Sequence, residues 1–336
     1  MTVLGLNAKK TLKIAAARTL DQLRLTRMRK GGLVILMLHK VNDDPDPLAL
    51  TLSPRLLEMI ICEVQEHHAI VSLSALDMDR ELQIAEGLRF AFTFDDGYRD
   101  NYENAFPLLC RHGVPATIYL SVDHIDGKRS FWYERLAGAI KNSRAEQLDM
   151  DLEGIGSYQL RDRNDRRAAL LVLNRRLKCY DDGTREQFVD LIAERLRAPE
   201  LCGITPMLTW GMIKEMAAAN ITFGSHTLSH PILSRETIER VRAELLGSKE
   251  VLEEVLGGRI TAFAYPNGTR EDFNVEVVAE VRKAGYQHAC TTIPGVNGWN
   301  TDPFELRRIN LHNDMCTDHQ GQFVPALFWA NALALL

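Results

Sequence analysis

Along the first thirty residues, Leu12, Ala16, Leu20 and Leu23 recur at helical spacing among basic side chains. That pattern predicts a cationic amphipathic helix over residues 8–29. The pattern changes at "GGLVILMLHKV" (31–41), where a glycine break opens a continuous apolar run suited to a strand buried on both faces of a parallel sheet. Similar runs follow at "AIVSLSAL" (69–76), at 88–94 and at "ATIYLSV" (116–122). Between them, residues 54–68 and "NAFPLLCRHGVP", which closes at Gly113, read as helices, and "DDPDP" reads as a loop. Strands alternating with helices predict an α/β fold with parallel strands.

From about Ile125 to Thr205 this rhythm stops. Segments such as "RDRNDRRAALLVLNRRLK" are helical and charged, and no convincing strand stands among them. A helical insertion over about 126–204 is expected, not an independent domain. The α/β rhythm then returns with a helix in "TWGMIKEMAAAN" and a strand in "ITFGSH". A long helix is expected next, with Ser234 as its N-cap and Gly257–Gly258 at its end. "ITAFAYP" and "HACTTI" read as strands around a helix that stops at Gly285, and "ELRRINLHND" (305–314) as a last strand leading into a loop.

With 46% apolar and 25% charged residues over 336 positions, the chain reads as a soluble globular protein, one large domain carrying an insertion. A net charge of −5 gives a nucleic-acid partner no electrostatic support. The charge is uneven: residues 1–30 hold eight Lys/Arg against Asp21 alone, which leaves the rest near −12. The six cysteines are scattered without a CxxC pair, so they read as reduced, mostly structural thiols, and a cysteine zinc site is not expected. No stretch reaches the ~18–20 apolar residues of a membrane span; the nearest is the C-terminal "FVPALFWANALALL", interrupted by Pro325 and Asn331. No signal-peptide pattern is visible, and a cytoplasmic protein is expected. The basic N-terminal helix has two readings, either packed on the domain or lying on an anionic membrane surface.

The chemistry concentrates in two stretches. In "FAFTFDDGYRDNY" (90–102) an apolar strand ends in the adjacent acids Asp95 and Asp96 followed by Gly97. Two such charges repel, and burying either is costly unless it is paired or holds a metal. A plain strand-end turn is the simpler reading, since Asp–Gly is turn-prone. In "FGSHTLSHP", His226 and His230 stand four apart, which on a helical turn would aim both imidazoles at one metal. Asp95 or Asp96 would complete a His–His–carboxylate set with an open position for water, the mark of a catalytic rather than a structural metal. The other acid would then be free to take a proton from that water.

"TFDDGYRDNY", "SHTLSHP" and "FAYPNG", in this order, with "VILMLHKV" before and "LRRINLH" after, resemble the polysaccharide deacetylase family, the NodB-homology group of carbohydrate esterase family 4. The similarity spans roughly residues 31–125 and 205–315. It implies a distorted (β/α)7-type barrel with the helical insertion near its catalytic rim. Residues 1–30 would form the basic N-terminal helix, 31–315 the catalytic domain and 316–336 an apolar C-terminal tail. The resemblance further implies Asp96, His226 and His230 as ligands of a divalent metal, zinc in most members. Asp95 would be the general base toward water, the N–H of Asn267 after Pro266 an oxyanion donor, and His312 the acid that protonates the departing amine.

Many members carry an arginine two residues before the third-motif proline, where it orients the catalytic aspartate; here that position is Ala264. Arg308, in "LRRI", is the candidate replacement, against the plainer reading of Arg307 and Arg308 as strand-flanking charges. His39, Tyr98 and Tyr265 are candidate substrate contacts with Pro266 and Asn267. "SFWYERL" (130–136) either lines the cleft or anchors the insertion, and anchoring is the preferred reading.

The implied activity is metal-dependent hydrolysis of an N-acyl group, N-acetyl in first place, from an amino sugar in a glycan, glycolipid or sugar precursor. The expected site of action is the inner face of the membrane, reached through residues 1–30 and 323–336. Three other readings stand beside it. They are a deformylase of a formamido sugar lipid, a catalytically inactive glycan binder, and a basic arm that assembles a biosynthetic complex.

Overall fold

The computed structural model describes residues 3–22, 31–44, 48, 50–73, 87–151, 154–198, 205–298 and 300–336. Among the described residues the central sheet has eight strands, the short Ala69–Ile70 and the seven of its continuous path: β1 (Gly31–Leu38), β2 (Gly87–Phe94), β3 (Ala116–Leu120), β4 (Ile221–Ser225), β5 (Ala262–Ala264), β6 (His288–Cys290) and β7 (Ile309–Asn310). Every pair is parallel and neighbours follow chain order, except that β7 lies against β1. The two ends of the sheet meet through Leu306, whose N–H donates to Ala289 O at 2.9 Å and whose carbonyl accepts from Thr291 N at 2.8 Å. A curled seven-stranded barrel results, as the family resemblance implied.

The period-2 alternation of each strand divides its side chains between two cores. Val34, Leu36, Phe90, Phe92, Phe94, Ile118 and Phe263 face outward into the layer of helices. Leu33, Ile35, Ala91, Tyr119, Ala262, Ala264 and Cys290 fill the narrow interior. Gly224 belongs to this arrangement: a Cβ there would stand 2.6 Å from the Tyr119 ring and 2.9 Å from Ala262 O. Only hydrogen fits.

Ten helices surround or extend the sheet among the described residues: α1 (Val3–Gln22), α2 (Pro54–His67), α3 (Phe106–His112), α4 (Trp132–Asn142), α5 (Arg163–Leu177), α6 (Asp182–Arg195), α7 (Trp210–Ala217), α8 (Ile238–Leu256), α9 (Val275–Lys283) and α10 (Pro325–Ala332). Their ends follow local chemistry. Ser53, Thr209 and Asn274 accept from first-turn N–H groups, and Gly113 (φ 63°) and Gly257 (φ 68°) close α3 and α8 in the left-handed conformation. The N-cap of α8 is Thr237, not Ser234. Ser234 sits instead in a 3-10 turn, with its hydroxyl on Glu271 O at 2.6 Å.

The insertion has its own apolar core, from Leu136 and Ile140 of α4 to Leu173, Leu177, Val189 and Ile192 of α5 and α6. It is not purely helical: Gln147–Met150 pairs antiparallel with Gly156–Gln159. The expected strand at 69–76 is described only as Ala69–Ile70, beside β2, and its continuation at 74–76 lies outside the described residues.

The C-terminal stretch is not a free apolar tail. Phe328 and Trp329 of α10 and Leu333 just after it enter the outer core, and Leu327 and Ala330 pack on Ile14 and Ala17 of α1. Burial of that apolar face explains the composition that resembled a membrane anchor. The predicted N-terminal helix is α1, and residues 23–30 lie outside the described residues. No helix among the described residues is long and apolar enough to cross a membrane.

Candidate active site

Strand parity decides where the two acids point. Ala91, Thr93 and Asp95 share the inward face of β2, so Asp95 enters the mouth of the barrel. There Arg308 meets it with a bidentate pair, Nη1 to Oδ1 and Nη2 to Oδ2, each 2.7 Å. Both side chains are buried, Arg308 at 0% and Asp95 at 1% exposure. Arg308 is itself fixed by Nε on Thr291 O (2.8 Å) and lies over the Tyr119 ring. Burial alone would push the Asp95 carboxyl up, but the Arg308 and His226 charges and the Arg308 hydrogen bonds hold it below its ordinary value.

Asp96 leaves the strand alternation. Its φ of 74° is a left-handed conformation that aspartate tolerates better than most side chains, and Gly97 follows at φ 86°. This turn swings Asp96 along the rim. Its Oδ2 accepts from Tyr133 Oη at 2.8 Å, while its Oδ1 is buried with no hydrogen-bond partner among the described residues. That bare oxygen faces His226 Nε2 at 3.6 Å and His230 Nε2 at 3.4 Å. Burial, followed by the adjacent Asp95 charge, raises the Asp96 carboxyl to about 7.

The histidines are gathered by a loop, not by the helical turn expected from their spacing. β4 ends at Ser225, and Thr227 (φ 69°) and His230 (φ 61°) both take left-handed backbone. Glu244, at 0% exposure on α8, holds this loop: Oε2 accepts from Leu228 N (2.8 Å) and Ser229 N (2.9 Å), and Oε1 from Ser229 Oγ (2.7 Å). His226 Nδ1–H donates to Ala264 O at 2.7 Å, which leaves Nε2 as the lone-pair nitrogen toward Asp96. Burial pushes both imidazoles toward the neutral, ligating form.

One ligand atom each from Asp96, His226 and His230 can be chosen so that all lie within 4.8 Å of one another, and all three residues are buried. An orphaned carboxylate oxygen and two neutral imidazole nitrogens directed at one point fit a divalent cation. Without one, Asp96 Oδ1 would be a costly buried acceptor.

The remaining candidates divide. Asn267 takes φ 59° just beyond β5, its carbonyl accepts from Thr292 Oγ1 (2.6 Å), and neither its N–H nor its buried Nδ2 has a partner among the described residues. Pro266 lies buried in the same turn, with its carbonyl accepting from Gly268 N (2.7 Å). On the neighbouring strands the ladder continues beyond β1 and β7, with Asp95 N on Leu38 O and Leu311 N on Met37 O. His39 and His312 therefore follow at the level of Asp95 on the same rim. The charge of His39 reaches Asp95 and favours its ionised form.

The two tyrosines expected to touch substrate are placed otherwise. Tyr265 is fully buried, stacked on Phe273, with its hydroxyl on Phe304 O at 3.0 Å. Tyr98 is fully buried, with its hydroxyl 2.8 Å from that of Tyr133. Their aromatic faces serve the core, which leaves no ring surface for a sugar.

Glu244 and Tyr133 were not foreseen. A signal for Glu244 exists in the sequence, since it falls at a core position of the α8 stripe with Val241, Leu245 and Leu252. Tyr133 lies in "SFWYERL", read as an anchor. A cavity of about 620 Å³ lies elsewhere, against Gly31 at the amino end of β1, with Arg270, Asn297, Asp302, Glu305 and Arg307 around it. It contains none of the residues around Asp96, and the convergence of side chains outweighs cavity size in locating the site.

Comparison with known proteins agrees with the geometry. The family model described as polysaccharide deacetylase matches residues 86–289. YxkH of Bacillus subtilis, a polysaccharide deacetylase by name, is 23% identical over 235 residues, covering 70% of this chain and 56% of its own length. The chain thus spans a little over half of that relative. Among solved structures, the deacetylase PplD of Streptococcus pyogenes, determined in complex with acetate, superposes with a TM-score of 0.58 at 18% identity, covering 90% of this chain and 98% of that one. IcaB of Ammonifex degensii gives 0.58 at 18% identity, over 90% and 97%. These two likenesses concern the fold.

Proposed function

The chain belongs to the polysaccharide deacetylase family, and from that premise we propose that it is a metal-dependent hydrolase removing an N-acyl group, N-acetyl in first place, from an amino sugar in a glycan or glycolipid. The observation that carries this reading is the convergence of Asp96, His226 and His230 beside an Asp95 paired to Arg308. Asp96, His226 and His230 would hold the cation, zinc being the ion best suited to two imidazoles and one carboxylate. When bound there, such an ion supplies Lewis-acid polarisation and lowers the pKa of water toward ~7.

This chain's own residues supply the rest. Asp95 is the proton acceptor, kept ionised and aimed by Arg308, which takes the place of the arginine absent at Ala264. The free N–H of Asn267 donates to the oxygen that becomes negative as the amide carbon turns tetrahedral. His312 holds the proton delivered to the amine as the C–N bond breaks, and His39 borders the sugar from the adjoining strand. The substrate class favoured is a lipid-linked precursor. Support comes from α1, which packs beside the rim through Lys10 on Asp314 (2.9 Å) and turns Leu12, 73% exposed, outward with the exposed Lys9 and Lys13. An apolar residue between cations suits an anionic lipid surface.

The test is metal content by mass spectrometry, wild type beside Asp96→Ala and His226→Ala, joined to acetate release from N-acetylated amino-sugar oligomers. About one metal per chain, lost in both variants, with acetate release abolished by Asp95→Asn at unchanged metal, is the expected result. Equal metal in all three proteins, or none after zinc is supplied, overturns the reading. Formate in place of acetate would redefine the acyl group.

A further inference from the structure

The insertion contributes to the same centre. α4 opens with Phe131, Trp132, Tyr133 and Glu134, and this turn lies against two of the three converging side chains. Tyr133 Oη donates to Asp96 Oδ2 at 2.8 Å. A phenol has one proton to give, so the 2.8 Å contact between the Tyr98 and Tyr133 hydroxyls runs from Tyr98 to Tyr133. All three groups are buried, and a chain of hydrogen bonds in such surroundings strengthens each link.

Phe131 meets His230 edge-on at 5.2 Å between centroids, and His124 stacks on the Phe131 ring at 3.8 Å between centroids. The turn is itself clamped to the barrel. Glu134 Oε1 takes Lys40 Nζ at 2.6 Å and Thr205 Oγ1 at 2.6 Å, and Lys40 lies over the Tyr98 ring. Mere anchoring would be complete with Glu134 and the apolar rings. The hydroxyl of Tyr133 is spent on one oxygen of Asp96, while the other oxygen is left bare toward His226 and His230.

We propose that Tyr133 is a positioning residue of the metal centre: by binding Asp96 Oδ2, with Tyr98 behind it, it fixes the carboxylate so that Oδ1 alone is presented to the cation. The insertion is then a structural condition for metal affinity, not an appendage to the barrel. This inference rests on the metal-site reading given above. Outer hydrogen bonds of this kind typically change metal affinity by about 10- to 100-fold.

The experiment titrates chelator-stripped full-length protein with Zn²⁺ in competition with a chromogenic chelator, and records the visible spectrum of the Co²⁺-loaded form. Tyr133→Phe keeps the ring and should weaken Zn²⁺ binding by about 10- to 100-fold with an altered Co²⁺ spectrum, while the circular dichroism of the apoprotein stays that of the folded wild type. Tyr98→Phe should shift affinity in the same direction by less. Wild-type affinity and spectrum in Tyr133→Phe, with binding lost in His226→Ala, would overturn the inference and leave the metal site standing. Absence of binding in wild type would overturn both. Should Tyr133→Phe fail to fold, Tyr98→Phe decides alone, and unchanged affinity there refutes the hydrogen-bonded chain.

Discussion

Replacing Arg308 by methionine would remove the guanidinium partner of the buried Asp95 carboxylate while keeping much of the volume. Asp95 and Arg308 share two charge-assisted hydrogen bonds of 2.7 Å at essentially zero exposure. Removing one partner of such a pair costs about 3–5 kcal/mol, because the other charge stays buried without compensation. Against a total stability of about 5–15 kcal/mol that loss is large. The sign with pH follows. In wild type the folded Asp95 value lies below the unfolded one, so its contribution is complete above about pH 5 and is lost as pH falls through the folded value. In Arg308→Met, burial, the largest influence on Asp95, is opposed only by the more weakly acting His226 and His39, so the folded value rises and the variant loses stability relative to wild type as pH climbs. The deficit should therefore be greatest near pH 7 and shrink toward pH 3–4.

Urea denaturation of the metal-free protein, followed by circular dichroism across that range, measures it. The cycle with Asp95→Asn should return at least about 2 kcal/mol of coupling, since the double variant leaves no buried charge. A single-variant cost below about 1 kcal/mol, or strictly additive singles, would refute the reasoning.

Three further outcomes are expected. Gly224→Ala drives a methyl into the Tyr119 ring and Ala262 O, and should cost about 1–3 kcal/mol in urea unfolding. Glu244→Ala leaves the half-buried Leu228 N–H and the buried Ser229 N–H without their acceptor; a loss of about 2–4 kcal/mol together with weaker Zn²⁺ binding in a chelator competition is the expected signature. Burial lowers the His288 imidazole to about 4, so between pH 6.5 and 4 the unfolded chain binds the extra proton and stability falls with pH by up to about 3 kcal/mol. His288→Leu should flatten that part of the stability profile measured by thermal melts.

Most of the barrel was legible because its strands are buried on both faces and read as apolar runs, as in "VILML" and "FAFTF". The insertion hairpin was missed for the opposite reason. Gln147–Met150 alternates over four residues only, with Leu148 and Met150 buried, and its partner Gly156–Gln159 has no apolar run at all. α10 was misread because hydropathy records that a face is apolar, not what covers it; Ile14 and Ala17 do. The grouping of Asp96, His226 and His230 was legible from residue types, but the way they are assembled was not. Spacing of four suggests a helix, whereas left-handed backbone at Thr227 and His230 and the Glu244 clamp make a loop. Arg308 illustrates the limit of local reading, since it is 213 positions from the aspartate it serves and only barrel closure at Leu306 brings it across.

Two adjacent carboxylates on one rim call for an explanation in which they differ, and their surroundings differ in each respect that matters. Asp95 obeys strand parity, points inward, and has both oxygens on a guanidinium; although burial raises its carboxyl, the opposing charges leave it more acidic than usual. Asp96 breaks parity through a left-handed turn, has one oxygen on a neutral phenol and the other bare, and burial with the neighbouring charge lifts it to about 7. An acid so raised, beside two imidazoles that burial keeps neutral, lacks a positive partner among its direct contacts. A divalent cation would balance the set, favouring the ionised form of Asp96 while competing for no donor that Asp95 uses. Environments that push two neighbouring acids apart assign them separate work, and the assignment follows from which one already has its cation. In the function proposed above, Asp95, which already has Arg308, is the acid that exchanges a proton, and Asp96 is the one left to bind.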